Sequence, residues 1–453
     1  MRDLASRLRD IVRHDSRPKD DSRPKDDSRP WPEGHNEPRR ELTYVPDPDP
    51  MDPLGVAADR LGGAIVGATG ACIAIDTVYP GDRSHGRRRI ESCVPEAGAP
   101  IHLFDSRLAG ESDWARRVVF FDIETTGLSG GAGTLAFLAG CGWFEPSGFR
   151  VRQFFLAGPS GEHEMLRALG DVLSSASLLV TFNGRTFDVP FMETRWAFHR
   201  TPNPTDDLLH FDMLPPARRL WSRRDGRDDV AGAASADERG CSLGALERTV
   251  LGLGRVGDVP GFEIPARYFH FLRTGDAESV RGVLEHNRTD IVSLAAIMSH
   301  ALWLVEQGPE ACRESEEQLA IGRLYERARE LDRARQAYEA AARSLDADVR
   351  RRALACLAAG LRREARYDEA AEAWQQVLDL GTRERGRVRS PLDRRAAEQL
   401  AIHHEHRKKD VDAARRYAEA LGRDASGTLR REVDRRISRL NRKAEARAGM
   451  LKI

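Results

Sequence analysis

The sequence is short of the features that mark the simplest functional classes. Its 453 residues balance 71 Lys plus Arg against 71 Asp plus Glu, so no global basic field draws it to a polyanion. Any nucleic acid would have to be met by a local groove. Cysteine is scarce and scattered: Cys72, Cys93, Cys141, Cys241, Cys312 and Cys356 form no C-x-x-C pair. That spacing argues against a structural zinc site or a disulfide framework and suits a reducing compartment. The charged N-terminus carries no apolar h-region of a signal peptide. The most apolar stretches, near Leu61–Ile75 and Ala132–Phe144, are broken by glycine and too short to span a bilayer. No G-K-[ST] and no H-E-x-x-H is present, which excludes P-loop and zinc-protease chemistry of the usual kind. These absences lead to the expectation of a soluble, cytoplasmic protein with no membrane partner. Its length predicts two or three domains.

The chain changes texture along its length. Residues 15–30 repeat "DSRPKD", "DSRPKD", "DSRP", and the polarity continues to residue 52, which predicts a disordered tail over 1–52. "GGAIVGATGACIAIDTVYP" and "DRSHGRRRIES" predict strands and a turn, so 53–115 reads as a small β subdomain or an N-terminal extension of the main sheet. His85 in that turn is expected to be a plain turn histidine. Residues 116–306 alternate signals. "VVFFDIE", "TLAFLAGCGWF" and "FRVRQFFLAG" come first as strands, and further strands then alternate with helices, the last of them long, over 276–305. The pattern predicts an α/β fold with a mixed sheet flanked by helices. An all-α stretch follows over 312–447. There "LDRARQAYEAA", "YDEAAEAWQQV" and "VDAARRYAEAL" align as Ala334/Tyr338/Ala341, Ala370/Trp374/Val377 and Ala413/Tyr417/Ala420. That spacing resembles helix-pair repeats of the tetratricopeptide type. The Arg-rich tail beyond Thr428 is expected to be a solvated capping helix, and "IHHEH" at 402–406 to be repeat surface.

The chemistry is carried by acids in unusual places. Strand periodicity puts Asp122 and Glu124 on one face of an otherwise apolar strand. Two carboxylates so close repel, and such hard oxygen donors favour magnesium or manganese over zinc. Asp188 follows a strand and an Asn183-Gly184 turn and opens a helix, where capping is the ordinary alternative. Asp290 lies inside an amphipathic helix, one turn from His286 on the same face, and no cap accounts for it. Asp212 in "HFDML" is a spare acid for which a structural hydrogen bond is the expected role. Arg218, Arg219, Arg223 and Arg224 form a basic cluster expected to be an exposed loop rather than a phosphate track.

In order, D-x-E, then N-G-x-x-F-D, then H-x-x-x-D resembles the three exonuclease motifs of the DEDD superfamily of ribonuclease H-like 3′–5′ exonucleases. The wider match, from His85–Gly86 through "FNGRTFDVPF" to "HNRTDIVSL", resembles the YprB-like predicted exonucleases, which often carry helical repeats after the nuclease domain. The resemblance implies a ribonuclease H-like fold over roughly residues 61–305. It implies that Asp122, Glu124, Asp188 and Asp290 bind two Mg2+ or Mn2+ ions. It also implies that His286 is the catalytic residue that positions or deprotonates the attacking water. By the same resemblance Thr125, Thr126, Gly127 and Leu128 meet the terminal nucleotide, and Asn183 of the second motif joins them as a substrate-binding residue. Members with His usually have it five residues before the Asp, whereas His286 stands at the four-residue spacing typical of Tyr. The implied activity is 3′–5′ hydrolysis of single-stranded RNA or DNA ends, with protein partners on the repeats. The alternative kept beside it is an inactive nucleic-acid-binding scaffold whose repeats recruit those partners.

Overall fold

Alternation along one strand sets the frame. In Val118–Thr125 the side chains of Val119, Phe121 and Ile123 enter one core cluster and those of Val118 and Phe120 another. Asp122 and Glu124 continue the second row, as period two requires. The computed structural model describes residues 53–67, 71–127, 133–222, 241–385, 390–422 and 426–450. The expected tail over 1–52 lies outside the described residues.

Nine strands occur among the described residues: β1 (Ala64–Val66), β2 (Cys72–Tyr79), β3 (Ser84–His85), β4 (Arg88–Arg89), β5 (Val118–Thr125), β6 (Ala136–Glu145), β7 (Gly148–Leu156), β8 (Leu178–Thr181) and β9 (His210–Asp212). Seven of them form one mixed sheet in the order β1-β2-β7-β6-β5-β8-β9. The β1 to β5 side pairs antiparallel, and β5-β8 and β8-β9 pair parallel. The first two strands thus lie at the edge of the main sheet. "DRSHGRRRIES" departs from the expected second strand: it makes only the two-residue β3–β4 pairing and then a short 3-10 turn over Ile90–Cys93.

The helices are α1 (Pro53–Leu61), α2 (Glu162–Leu173), α3 (Asp188–His199), α4 (Leu214–Trp221), α5 (Leu243–Leu246), α6 (Ile264–Thr274) and α7 (Glu278–Gln307), followed by α8 (Ser315–Arg327), α9 (Leu331–Ala341), α10 (Ala347–Arg363), α11 (Tyr367–Arg385), α12 (Pro391–His403), α13 (Val411–Gly422) and α14 (Gly427–Met450). By length and composition alone α7 could cross a membrane. It is instead a core helix: Val280, Val283 and Leu284 enter one core cluster, and Ile291, Leu294, Met298 and Val305 the other. It can lie across the sheet because β6 has no side chain at two points. A Cβ on Gly140 would collide with Asn287 Oδ1 and Ile291 Cδ1, and one on Gly142 with Ile291 Cγ2 and a Phe149 ring carbon, both 2.5 Å away.

In the C-terminal helices the Ala–aromatic positions of α9 and α11 are core residues, with Tyr338 and Trp374 buried. The third set differs. Tyr417 is half-buried, stacks on His404 and donates to Gln375 Oε1 at 2.5 Å, while Ala413 stays buried and Ala414 and Ala418 enter the core beside it. "IHHEH" also departs from plain surface. Glu405 is buried in a wide turn after α12 and accepts from Arg439 and Lys443, pinning α14 to the array. Arg430 and Arg436 are paired as well, with Asp434 and Glu398, so much of the described part of the basic tail is neutralised within the fold.

If the approach of α7 to β6 governs the sheet's stability, Gly140→Ala lowers the melting temperature, with a loss of about 1–3 kcal/mol expected for overpacking. Gly170→Ala, on α2 with open space around the new Cβ, should leave it unchanged or raise it. Equal melting temperatures for wild type and Gly140→Ala would refute the close approach.

Candidate active site

Three separate stretches deliver four acids to one place. Asp122 and Glu124 come from the C-terminal end of β5, whose ladder with β6 shifts register between Glu124 and Thr125. A shift of this kind bends the strand and re-aims the residues beyond it. Asp188 is the first residue of α3 and is buried. The turn before it is tied down by Asp212, which accepts from the backbone N–H groups of Asn183 at 2.8 Å, Arg185 at 3.2 Å and Leu214 at 3.0 Å. Asp212 therefore has the structural role expected of it. Asn183 takes the left-handed conformation there, at φ 67°. Asp290 comes from the middle of α7.

The acids feel one another. Burial, then the charges of Asp290, Asp188 and Glu124, push Asp122 well above the usual carboxylate range, with Asn287 opposing. Burial and the charges of Asp290 and Asp188 raise Glu124 to about 8. Burial raises Asp188 to about 7, against hydrogen bonds from its own N–H and that of Ile123. Burial also raises Asp290, restrained by Arg255 and His286. A cluster that holds protons this tightly is one that a cation would relieve. Four hard oxygen donors suit a divalent ion such as magnesium or manganese. Among the described residues no three His, Cys, Asp or Glu side chains are already arranged as a metal cage. Asp290 Oδ1 instead accepts from Arg255, and its Oδ2 lies 3.6 Å from His286 Nε2.

His286 shares a helix face with Asp290, as the spacing predicts. Its Nδ1 lies 2.7 Å from Asp258 Oδ1, and because a carboxylate only accepts, the proton belongs on Nδ1 when Asp258 is ionised. Asp258, Arg255 and Asn287 were not legible as site residues in the sequence. Asn287 is fully buried and donates to Asp122 Oδ2 at 2.8 Å, and its own Oδ1 accepts from Gln153 Nε2 at 2.8 Å. Its signal was present: it is the one amide in the apolar row Val280, Val283, Leu284, Ile291, Leu294 of α7. Arg255 and Asp258 sit in the irregular "GLGRVGDVPG" loop, where no periodicity singles out a position.

The other expected contacts are mixed. Thr125 is buried and donates through Oγ1 to Gly127 O, and the Thr126 hydroxyl accepts from the Leu135 N–H. Both threonines therefore shape the turn that leaves β5. Leu128 lies outside the described residues, as do Arg223 and Arg224. Arg219 donates to Phe104 O at 2.6 Å, so half of the described part of that basic cluster is occupied within the fold. His85 is not a free turn histidine: its Nε2 lies 2.7 Å from Ser293 Oγ on α7.

A family model of the RNase_H superfamily, RNase_H_2, matches residues 119–302, from β5 to the later turns of α7. Over 330 residues the chain is 32% identical to the uncharacterized protein YprB of Bacillus subtilis (strain 168), covering 72% of this chain and 74% of that one. The chain belongs to the YprB family of RNase H-like proteins. Among solved structures it is similar to the family B DNA polymerase from the hyperthermophilic archaeon Pyrobaculum calidifontis, with a TM-score of 0.32 and 13% identity. That likeness covers 49% of this chain and 29% of the polymerase. In this RNase H-like domain Asp122 and Glu124 occupy the strand that joins the antiparallel and parallel parts of the sheet.

The raised acids give a stability prediction with a definite sign. Each binds its proton more tightly folded than unfolded, so their favourable contribution is complete below about pH 4 and is lost as pH rises through about 7 for Asp188 and about 8 for Glu124. The melting temperature of the chain in chelator should therefore fall between about pH 5 and pH 8.5. Asp188→Asn, which has no charge to bury, should flatten that slope. A melting temperature that rises over this window would contradict the buried cluster.

Proposed function

We propose that this protein is a divalent-metal-dependent 3′–5′ exonuclease that hydrolyses phosphodiester bonds at single-stranded nucleic acid ends. The observation that carries the reading is the convergence of Asp122, Glu124, Asp188 and Asp290 from three distant stretches into one mutually repelling, buried group. In this reading the four carboxylates hold two Mg2+ or Mn2+ ions, which supply a water of lowered pKa and stabilise charge on the leaving oxygen. His286, with its Nδ1 proton held by Asp258, keeps Nε2 available to take the proton of the attacking water. The water oxygen bonds to the terminal phosphorus, the 3′ oxygen of the shortened strand leaves, and a 5′-mononucleotide is released. Asn287 keeps Asp122 in one orientation. The turn at Thr125, Thr126, Gly127 and Leu128, with Asn183, meets the terminal nucleotide. The helices over 312–447 serve as tetratricopeptide-like repeats that recruit protein partners in the cytoplasm.

A second reading, a nucleic-acid-binding scaffold without hydrolysis, has one observation in its favour: Asp290 already has a cation, Arg255. Activity separates the two. Asp122→Ala and Asp290→Asn should each reduce release of labelled mononucleotide from a 3′-labelled oligonucleotide by more than about 100-fold in Mg2+ or Mn2+, since losing a ligand exceeds the 10- to 100-fold typical of an outer partner. Both variants should keep the far-ultraviolet circular dichroism of the wild type. Undiminished release by the purified double variant would reject the mechanism.

A further inference from the structure

The loop after α5 reaches the acids through a single side chain. Arg255 meets Glu247 in two parallel contacts, Nε to Oε2 at 2.7 Å and Nη2 to Oε1 at 2.5 Å. The Glu247 side chain is 1% exposed, so this fork is anchored in the interior. Ser293 Oγ on α7 also donates to Glu247, and His85 Nε2 reaches the same hydroxyl at 2.7 Å. A buried chain of polar groups thus runs from the β3–β4 turn to the guanidinium. On its other side Arg255 donates from Nη2 to Asp290 and from Nη1 to Asp258 Oδ2 at 3.2 Å, and the same Nη1 lies 3.4 Å from His286 Nδ1, whose proton goes to the nearer Asp258. The second oxygen of Asp258 is the one that holds His286 Nδ1.

Neutralising Glu247 requires only the paired contacts on that side. The contacts to Asp290 and Asp258 go beyond it, and they fall on the two residues to which metal binding and proton transfer have been assigned. We propose that Arg255 is a positioning residue of the nuclease site, anchored on Glu247, that orients Asp290 directly and His286 through Asp258. This rests on the metal-nuclease reading above. A planar guanidinium has donors on three edges and serves all three carboxylates at once, which the point charge of lysine does not.

The test is calorimetric titration of Mn2+ into the full chain, with single-turnover hydrolysis and melting temperature measured alongside. Arg255→Gln alone would leave Glu247 buried and unpaired, so the main variant is the charge-neutral pair Arg255→Gln with Glu247→Gln. Its Mn2+ affinity should weaken about 10- to 100-fold, the range for an outer partner of a metal ligand. Arg255→Lys should recover less than a third of that loss on a logarithmic scale. Asp258→Asn, which leaves the Arg255–Glu247 pair in place and keeps the fold testable if the double variant does not fold, should lower kcat about tenfold or more while KM stays within about twofold. A lower melting temperature with unchanged Mn2+ affinity would reduce Arg255 to a structural prop and overturn the proposal. Tighter Mn2+ binding would overturn it too, since the guanidinium would then be a competitor for Asp290. Absence of Mn2+ binding by the wild-type chain is a different failure: it removes the metal reading itself, and this inference with it.

Discussion

The site depends on how closely one helix can lie on one strand. Asp290 and Asn287 reach Asp122 only because α7 settles onto β6 where Gly140 and Gly142 present no side chain. Protein interiors are packed too densely to absorb an added methyl without movement. A helix held even slightly farther out would break the 2.8 Å contact between Asn287 and Asp122 and separate Asp290 from the strand acids. The two glycines and the four carboxylates are thus parts of one constraint, although they lie far apart in sequence.

Given that approach, the electrostatic problem is to keep like charges together without a cation. The fold uses several small compensations. Asn287 donates to Asp122, the N–H groups of Ile123 and Asp188 donate to Asp188, and Arg255 donates to Asp290. None of them overcomes burial, since all four acids remain raised. Elsewhere the same chain pairs two buried acids with bases: Glu162 with Arg195 and His199, and Asp393 with Arg351. The contrast marks the cluster at β5. Asp212, buried and structural, is held by three backbone N–H donors instead. Among the described residues three of the four acids at the site have no basic partner at salt-bridge distance, and Asp290 alone meets one, Arg255.

Much of this was legible in the sequence, and the limits are physical. The strand acids announced themselves by alternation, and Asp290 by its place within an amphipathic helix, because both are violations of a periodic pattern. The mixed sheet was implied by strands before helices. Asn287 sat on the same pattern one residue from His286, and a helix turns about 100° per residue, so the two neighbours face different partners. Arg255 and Asp258 lie in a loop without period, and what brings them to the site is tertiary: Glu247 lies eight residues before Arg255 and Asp290 thirty-five after it. The third helix-pair signature shows another limit. An Ala–aromatic spacing fixes which residues share a face, but which of two adjacent faces is buried at Tyr417 is decided by α14 and the wide turn after α12.

The long helix also joins the acids to the C-terminal array. Its last turn accepts at Val305 O from Tyr325 Oη at 2.7 Å, and Arg333 donates to Glu306 O at 3.0 Å. Trp221 at the end of α4 donates to Glu317 on α8 at 3.0 Å. One continuous core cluster runs from Phe120 and Val180 in the sheet through Ile291 and Met298 of α7 to Tyr325, Tyr338 and Val349. A tethered module would show a polar seam at this point, because separable domains keep mostly polar contacts between them. The helical array instead grows out of the same core that sets the register of α7. The array is therefore held at a fixed orientation to the acids, fifteen residues, or about 22 Å along a helix, from Asp290 to Val305.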